Sequence, residues 1–142
     1  MNNQTILVTG ATDGIGHGTA MELAQRGATV LLHGRDSARL RAMQDEIAVA
    51  TGVIPDAYLA DFSSLSEVRG MASKIGENHP VLDVLINNAG IGRGPRGDQV
   101  REVSTDGHEL RFQVNHLAPL LLSQLLLDNL GRTAPGRIVN VA

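Results

Sequence analysis

Short apolar runs rich in β-branched residues alternate along the chain with longer segments in which apolar positions recur every three or four residues. The runs TILVT (5–9), ATVLLH (28–33), DAYLA (56–60), DVLIN (83–87) and RIVNV (137–141) read as strands. The segments 14–26, 37–50, 64–78 and 105–130 read as helices, with Ser37 as an N-cap and Gly27 and Gly52 as C-terminal stops. The first, second and fourth strands are almost uninterrupted apolar stretches, the pattern of strands covered by helices on both faces. Strand and helix in strict alternation predict an α/β fold. Right-handed crossovers then give, as the simplest arrangement, a doubly wound parallel sheet of order 3-2-1-4-5. GIGRGPRGDQV (90–100) reads as a loop after the fourth strand, and no linker or repeat divides residues 1–142, which are expected to form a single domain.

Composition narrows what such a sheet can do. With 42% hydrophobic and 19% charged residues, the 142-residue chain suits a globular protein with one core. One Tyr, two Phe and no Trp leave no set of stacking platforms for single-stranded nucleic acid, and a net charge of −3 disfavours a phosphate-backbone partner. Without Cys there is no disulfide, thiolate metal site or cysteine nucleophile. His17, His33, His79, His108 and His116 show no metal-ligand spacing, and no metal is expected. The start, MNNQTILVTG, lacks a basic region and a long apolar run, and LAPLLLSQLLL (117–127) is too short to span a bilayer, so no membrane span and a cytoplasmic location are expected.

The candidate chemistry begins where the first strand meets TGATDGIG. Gly10, Gly14 and Gly16 stand as G-x3-G-x-G at a helix start. Glycines there allow a tight turn and let a pyrophosphate approach backbone N–H groups at the positive helix end. The second strand ends LLHGRD: Gly34 leaves room, and Arg35 offers a guanidinium suited to a 2′-phosphate, favouring NADP(H). Asp36 is either a ribose ligand, which would admit NAD(H), or a helix-capping acid, and Asp13 adds a negative charge to the same turn.

TGATDGIG, NNAG (87–90) and Asn115 within ELRFQVNHLAP resemble the short-chain dehydrogenase/reductase family. DFSSLSEVR (61–69), LDVLINNAGI (82–91), STDGHELRFQVNHL (104–117) and PGRIVNVA (135–142) are most similar to its retinol-dehydrogenase-like branch. The resemblance covers the whole chain but the N-terminal half of the family's fold, and it implies a Rossmann-type sheet truncated after the fifth strand. It further implies that Thr9, Gly10, Thr12, Asp13, Gly14, Ile15 and Gly16 form the cofactor turn and that Arg35 meets the adenosine 2′-phosphate. Asp61 and Phe62 would meet the adenine edge, and Asn88, Ala89 and Gly90 the adenosine ribose. Read from the residues alone, Asp61 could equally cap a helix and the Asn pair could equally make a turn. Asn115 is the one catalytic residue the family pattern places here, holding a water in a proton relay from a bent helix; the alternative is a solvent-facing Asn. A homodimer through the 105–130 helix is a secondary implication.

The family's reaction is hydride transfer between nicotinamide and a carbonyl or alcohol, with Tyr as acid/base, Lys lowering its pKa, and Ser on the substrate oxygen. Tyr58, the sole tyrosine, lies in the third strand with Phe62 four residues on, and Lys74 is the sole lysine. The Ser is expected one position beyond IVNVA. The first reading is therefore the cofactor-binding half of an NADP(H)-dependent oxidoreductase acting on a small carbonyl or alcohol, inactive alone; the second is a non-catalytic dinucleotide-binding or partner-binding module. In either, the fifth strand would be an exposed sheet edge prone to association.

Overall fold

The computed structural model of the chain describes residues 3–92, 101–132 and 135–142. Its strands are β1 (Thr5–Val8), β2 (Thr29–Gly34), β3 (Asp56–Leu59), β4 (Val84–Asn87) and β5 (Arg137–Asn140). Every pairing is parallel, and the order is β3-β2-β1-β4-β5, as the sequence pattern predicts. The predicted loop at 90–100 falls outside the described residues from position 93 onward.

Alternation along the strands divides the core into two layers. Leu7, Leu31 and Leu85 point to one face, where they meet Met71 and Ile75 of α3 (Leu65–Asn78). Two helices later in the chain, α5 (Ala118–Leu125) and α6 (Leu127–Leu130), add Leu122 and Leu130 to that layer. Ile6, Val8, Val30, Leu32 and Val84 point to the other face, against Ala20 and Leu23 of α1 (Gly14–Gln25) and Leu40, Met43 and Ile47 of α2 (Ser37–Thr51). Each fully buried Val, Leu, Ile or Met side chain among them contributes about 1.5–3 kcal/mol relative to exposure. Because β1 pairs with β2 on one side and β4 on the other, the chain reverses its direction of sheet growth beside β1, which opens a crevice at the C-terminal strand ends.

Two local expectations are corrected. Asp36, not Ser37, caps α2: its carboxylate accepts from the Arg39 N–H at 3.0 Å, and an ionised acceptor at the positive helix end is the stronger cap. The single helix expected over 105–130 starts later and is broken. Residues 104–108 close a turn, with the Ser104 N–H on the His108 carbonyl at 2.8 Å and Val103 bridged to Glu109. Glu109 then caps a short α4 (Leu110–Phe112), accepting from the Phe112 N–H at 2.7 Å. A π-helical turn, Gln113–Leu117, separates α4 from α5. Pro119 lies just beyond it and has no N–H to offer the Asn115 carbonyl four residues back, which favours irregular winding here.

Candidate cofactor site

The glycine turn between β1 and α1 is fastened on both flanks. On the β4 side, the buried Thr9 hydroxyl accepts the N–H groups of Asn88 and Ala89, both at 2.9 Å, and donates to the Ile86 carbonyl at 3.3 Å. The Asn88 amide returns the contact, donating to the Thr9 and Gly10 carbonyls at 3.0 and 3.1 Å. On the β2 side, the Gly10 N–H donates to His33 Nδ1 at 3.2 Å and the Ala11 N–H to the His33 carbonyl at 2.9 Å. Gly10 sits at φ +63°, and a Cβ there would stand 2.8 Å from the Ala89 Cα. At Gly16 a Cβ would overlap the Gly10 carbonyl and the Asn88 side chain. Gly14, the first residue of α1, faces open space instead.

That open space is a hollow of about 460 Å³ at the C-terminal strand ends. Of the residues assigned to the cofactor from sequence, Gly10, Thr12, Asp13, Gly14, Ile15, Arg35, Asp61, Phe62, Asn88, Ala89 and Gly90 line it. Thr9 and Gly16 do not. They are buried behind the wall and shape it through the contacts just given. A larger hollow, about 720 Å³, lies at the opposite strand ends, lined by aliphatic side chains such as Val30, Ile47 and Ile54 together with the neutral polar Gln25, Thr29 and Thr51. Its one charged lining residue, Asp56, already meets His79 Nε2 at 2.9 Å, so size does not choose the site; the cations Arg35 and Arg39 beside the N-terminus of α1, found only in the smaller of the two, do.

The wall toward β2 carries the cations. Arg35 follows the strand directly, and Gly34 before it is packed so closely on Thr12 that a Cβ would come within 2.9 Å of the Thr12 methyl. Arg39, in the first turn of α2, also lines the hollow, with Nη1 3.6 Å from an Asp13 oxygen. Both side chains are well exposed, so the pair adds little stability; its effect is to offset the negative charge in the turn. The other Asp13 oxygen accepts the Gly14 N–H at 2.8 Å.

The wall toward β3 is set by a buried polar network. Phe62 stacks on the His33 ring, centroids 4.3 Å apart and planes 14° from parallel. The Phe62 carbonyl accepts from the fully buried Gln113 amide at 3.1 Å, and Gln113 also donates to Asp106 at 2.9 Å and accepts from the Ser104 hydroxyl at 2.6 Å. The Leu65 N–H and the Gln113 amide hold the Asp106 carboxyl below its usual range. Asp61 makes a local turn, accepting the Ser63 N–H at 2.8 Å, while Ser64 caps α3, so the helix-capping alternative for Asp61 does not hold.

Asn115 lies in the π-helical turn outside the hollow. Its Oδ1 accepts the Ile91 N–H at 2.8 Å and its Nδ2 donates to the Ile91 carbonyl at 2.9 Å, a reciprocal clamp on the segment after β4. A merely solvent-facing Asn is excluded, although the residue is exposed. Sequence reasoning missed His33, Arg39, Ala60, Ile91 and Val114 as lining residues. Arg39 carried a readable signal, as the third residue of a helix that starts beside the site. His33 carried only its place at the end of β2.

Residues 4–142 match the family model described as short chain dehydrogenase. The chain belongs to the short chain dehydrogenase family. Among curated members it is 42% identical to human retinol dehydrogenase 13 over 140 residues, 98% of this chain and 41% of that protein. With mouse retinol dehydrogenase 14 the identity is 39%, over 100% of this chain and 44% of that protein. Similarity to the retinol-dehydrogenase branch is thus direct, and the chain spans less than half the length of these relatives. Among solved structures, a short chain dehydrogenase of Shigella flexneri complexed with NADP superposes with a TM-score of 0.84 at 32% identity, covering 99% of this chain and 59% of that one. One from Escherichia coli complexed with NADPH gives 0.84 at 33%, with 99% and 58% covered. Among the described residues of this family member, no helix is long and apolar enough to cross a membrane.

Proposed function

We propose that this chain holds the adenosine half of NADP(H) and is the cofactor-binding part of an oxidoreductase acting on a small carbonyl or alcohol. The observation that carries the reading is the hollow at the α1 N-terminus, with glycine-walled backbone on one side and Arg35 and Arg39 on the other. The residues present fit the dinucleotide. Gly14 leaves the space before α1 open for a pyrophosphate, where helix N–H groups favour anions. Arg35 and Arg39 suit a 2′-phosphate, and Asp36, engaged as the α2 cap, is a poor ribose ligand, so NADP(H) is favoured over NAD(H). Complexes of structural neighbours with NADP and NADPH support the same choice.

When bound, the nicotinamide would supply the hydride. Asn115 positions the Ile91 segment beside the site and, in the π-helical turn, is the candidate for a relay role. The 142 residues hold no Tyr-x-x-x-Lys pair, so no acid–base step is assigned to them, and alone they bind nucleotide without turnover. A homodimer through residues 105–130 has the exposed Phe112, Leu120 and Leu127 in its support. Calorimetric titration tests the reading: NADPH should bind about 10-fold or more tightly than NADH, a difference of ~1.4 kcal/mol. Arg35→Ala should erase most of that preference by weakening NADPH. Equal affinities for both cofactors, unchanged by the substitution, would contradict it.

A further inference from the structure

We infer that His33 is a positioning residue for the nucleotide, a neutral imidazole strut that fixes the glycine turn at a set distance from the adenine-side wall. The inference rests on the reading of the hollow as a nucleotide site. It begins with strand geometry: alternation along β2 turns Val30 and Leu32 to one face and Leu31 and His33 to the other, so the imidazole emerges beside the turn. The residue is 3% exposed, and both ring nitrogens are used. Nδ1 receives the Gly10 N–H at 3.2 Å; an amide N–H only donates, so Nδ1 carries a lone pair. Nε2 lies 3.0 Å from the Ala60 carbonyl, which only accepts, so Nε2 carries the hydrogen. One charge state and one tautomer satisfy both contacts.

The same ring stacks on Phe62, and the same residue's carbonyl holds the Ala11 N–H. His33 therefore ties together the turn after β1, the end of β2 and the segment after β3. The pyrophosphate-facing and adenine-facing walls of the hollow meet through it. Burial favours the neutral form and moves the imidazole pKa down to about 4, against the opposing pull of the Ala60 carbonyl and, after it, the Asp61 charge. Asn88 does the corresponding work on the β4 flank, but it spans two adjacent strand ends, whereas His33 also reaches the third. An ordinary core histidine would need only to fill space. Here a specific acceptor faces an amide that the turn cannot satisfy by itself.

Two substitutions in the full chain separate the strut from simple packing. His33→Asn keeps an acceptor at the Nδ1 position and loses the reach to Ala60; His33→Leu fills the space and offers no acceptor. His33→Leu leaves the Gly10 N–H without its acceptor and frees the turn to shift, so NADPH binding should weaken roughly 10-fold or more, while His33→Asn stays within about 3-fold of the parent. Thermal midpoints should fall in both variants, because Leu leaves the Gly10 N–H unpaired and Asn loses the Ala60 contact and underfills the site, so stability does not rank the two as NADPH affinity does. NADPH affinity unchanged in His33→Leu, or lowered equally in both variants, would overturn the inference. If the parent chain binds no nucleotide, the proposed function fails instead, and the strut is decided separately. The ¹⁵N spectrum near pH 7 should show a bare Nδ1 and a protonated Nε2, with the Gly10 amide exchanging faster in His33→Leu. The opposite tautomer, or an unchanged Gly10 amide, would refute it.

Discussion

Strand β2 runs through Val30, Leu31 and Leu32 with all three buried, whereas β5 leaves Ile138 and Val139 at 40% and 44% exposure, although both strands are short, parallel and apolar at their centres. The difference lies in what covers them. β2 is paired on both edges, by β1 and β3, and its side chains enter both core layers. β5 pairs with β4 alone, and none of its residues joins either core cluster. An apolar strand is therefore not in itself a rigid one; burial comes from the elements packed on its faces. The glycine turn and its hollow sit on the β2 side, where three strand ends are locked together. β5 lies on the other flank.

The sharpest test of that contrast is Leu32→Ala. The side chain is fully buried between sheet and helices, so the substitution should cost about 2–5 kcal/mol in urea denaturation. A loss under about 1 kcal/mol would mean the β2 side is far looser than its packing indicates. The next is pH. His33 is protonated near 6.5 in an unfolded chain and near 4 in the fold, so between those values the unfolded state holds the extra proton. Stability from the neutral ring is complete above about pH 6.5 and is lost as pH falls toward 4, by roughly 3 kcal/mol in all. His33→Asn should flatten that part of the stability–pH curve; an unchanged slope would show that carboxylates alone set it.

Gly16→Ala should come third, at about 1–3 kcal/mol, because the added Cβ meets backbone at Gly10 and the Asn88 amide, and NADPH binding should fall with it. The smallest effect belongs to β5. Val139→Thr should stay within about 0.5 kcal/mol, since half-exposed surface strands tolerate a hydroxyl. Amide exchange should be faster along Ile138–Asn140 than along Val30–His33. Matching protection in the two strands would erase the distinction.

Strand positions and sheet order were legible because the alternation of apolar runs with helical period is repeated and unambiguous. The turn was legible from Gly10, Gly14 and Gly16, whose spacing has a steric cause that acts within the segment itself. The start of the 105–130 helix was not. Its first residues are diverted by a pairing of Ser104 with His108 and of Val103 with Glu109, and its continuity is broken at a π-helical turn beside Pro119. A π-helical turn shifts the side-chain phase by about one residue, a change too small to separate from ordinary scatter in so short and leucine-rich a segment. His33 was equally silent: its partners, Gly10 and Ala60, are 23 and 27 residues away, and they meet only after three strands have paired.

The central claim is that nucleotide occupies the hollow at the C-terminal strand ends and not the larger one at the opposite ends. Backbone amide shifts recorded during NADPH addition test it most directly. The account predicts concentration-dependent shifts in Gly10–Gly16, Arg35, Asp61–Phe62 and Asn88–Gly90. Shifts confined to Ala24–Leu31 and Val53–Asp56, around the larger hollow, would contradict it.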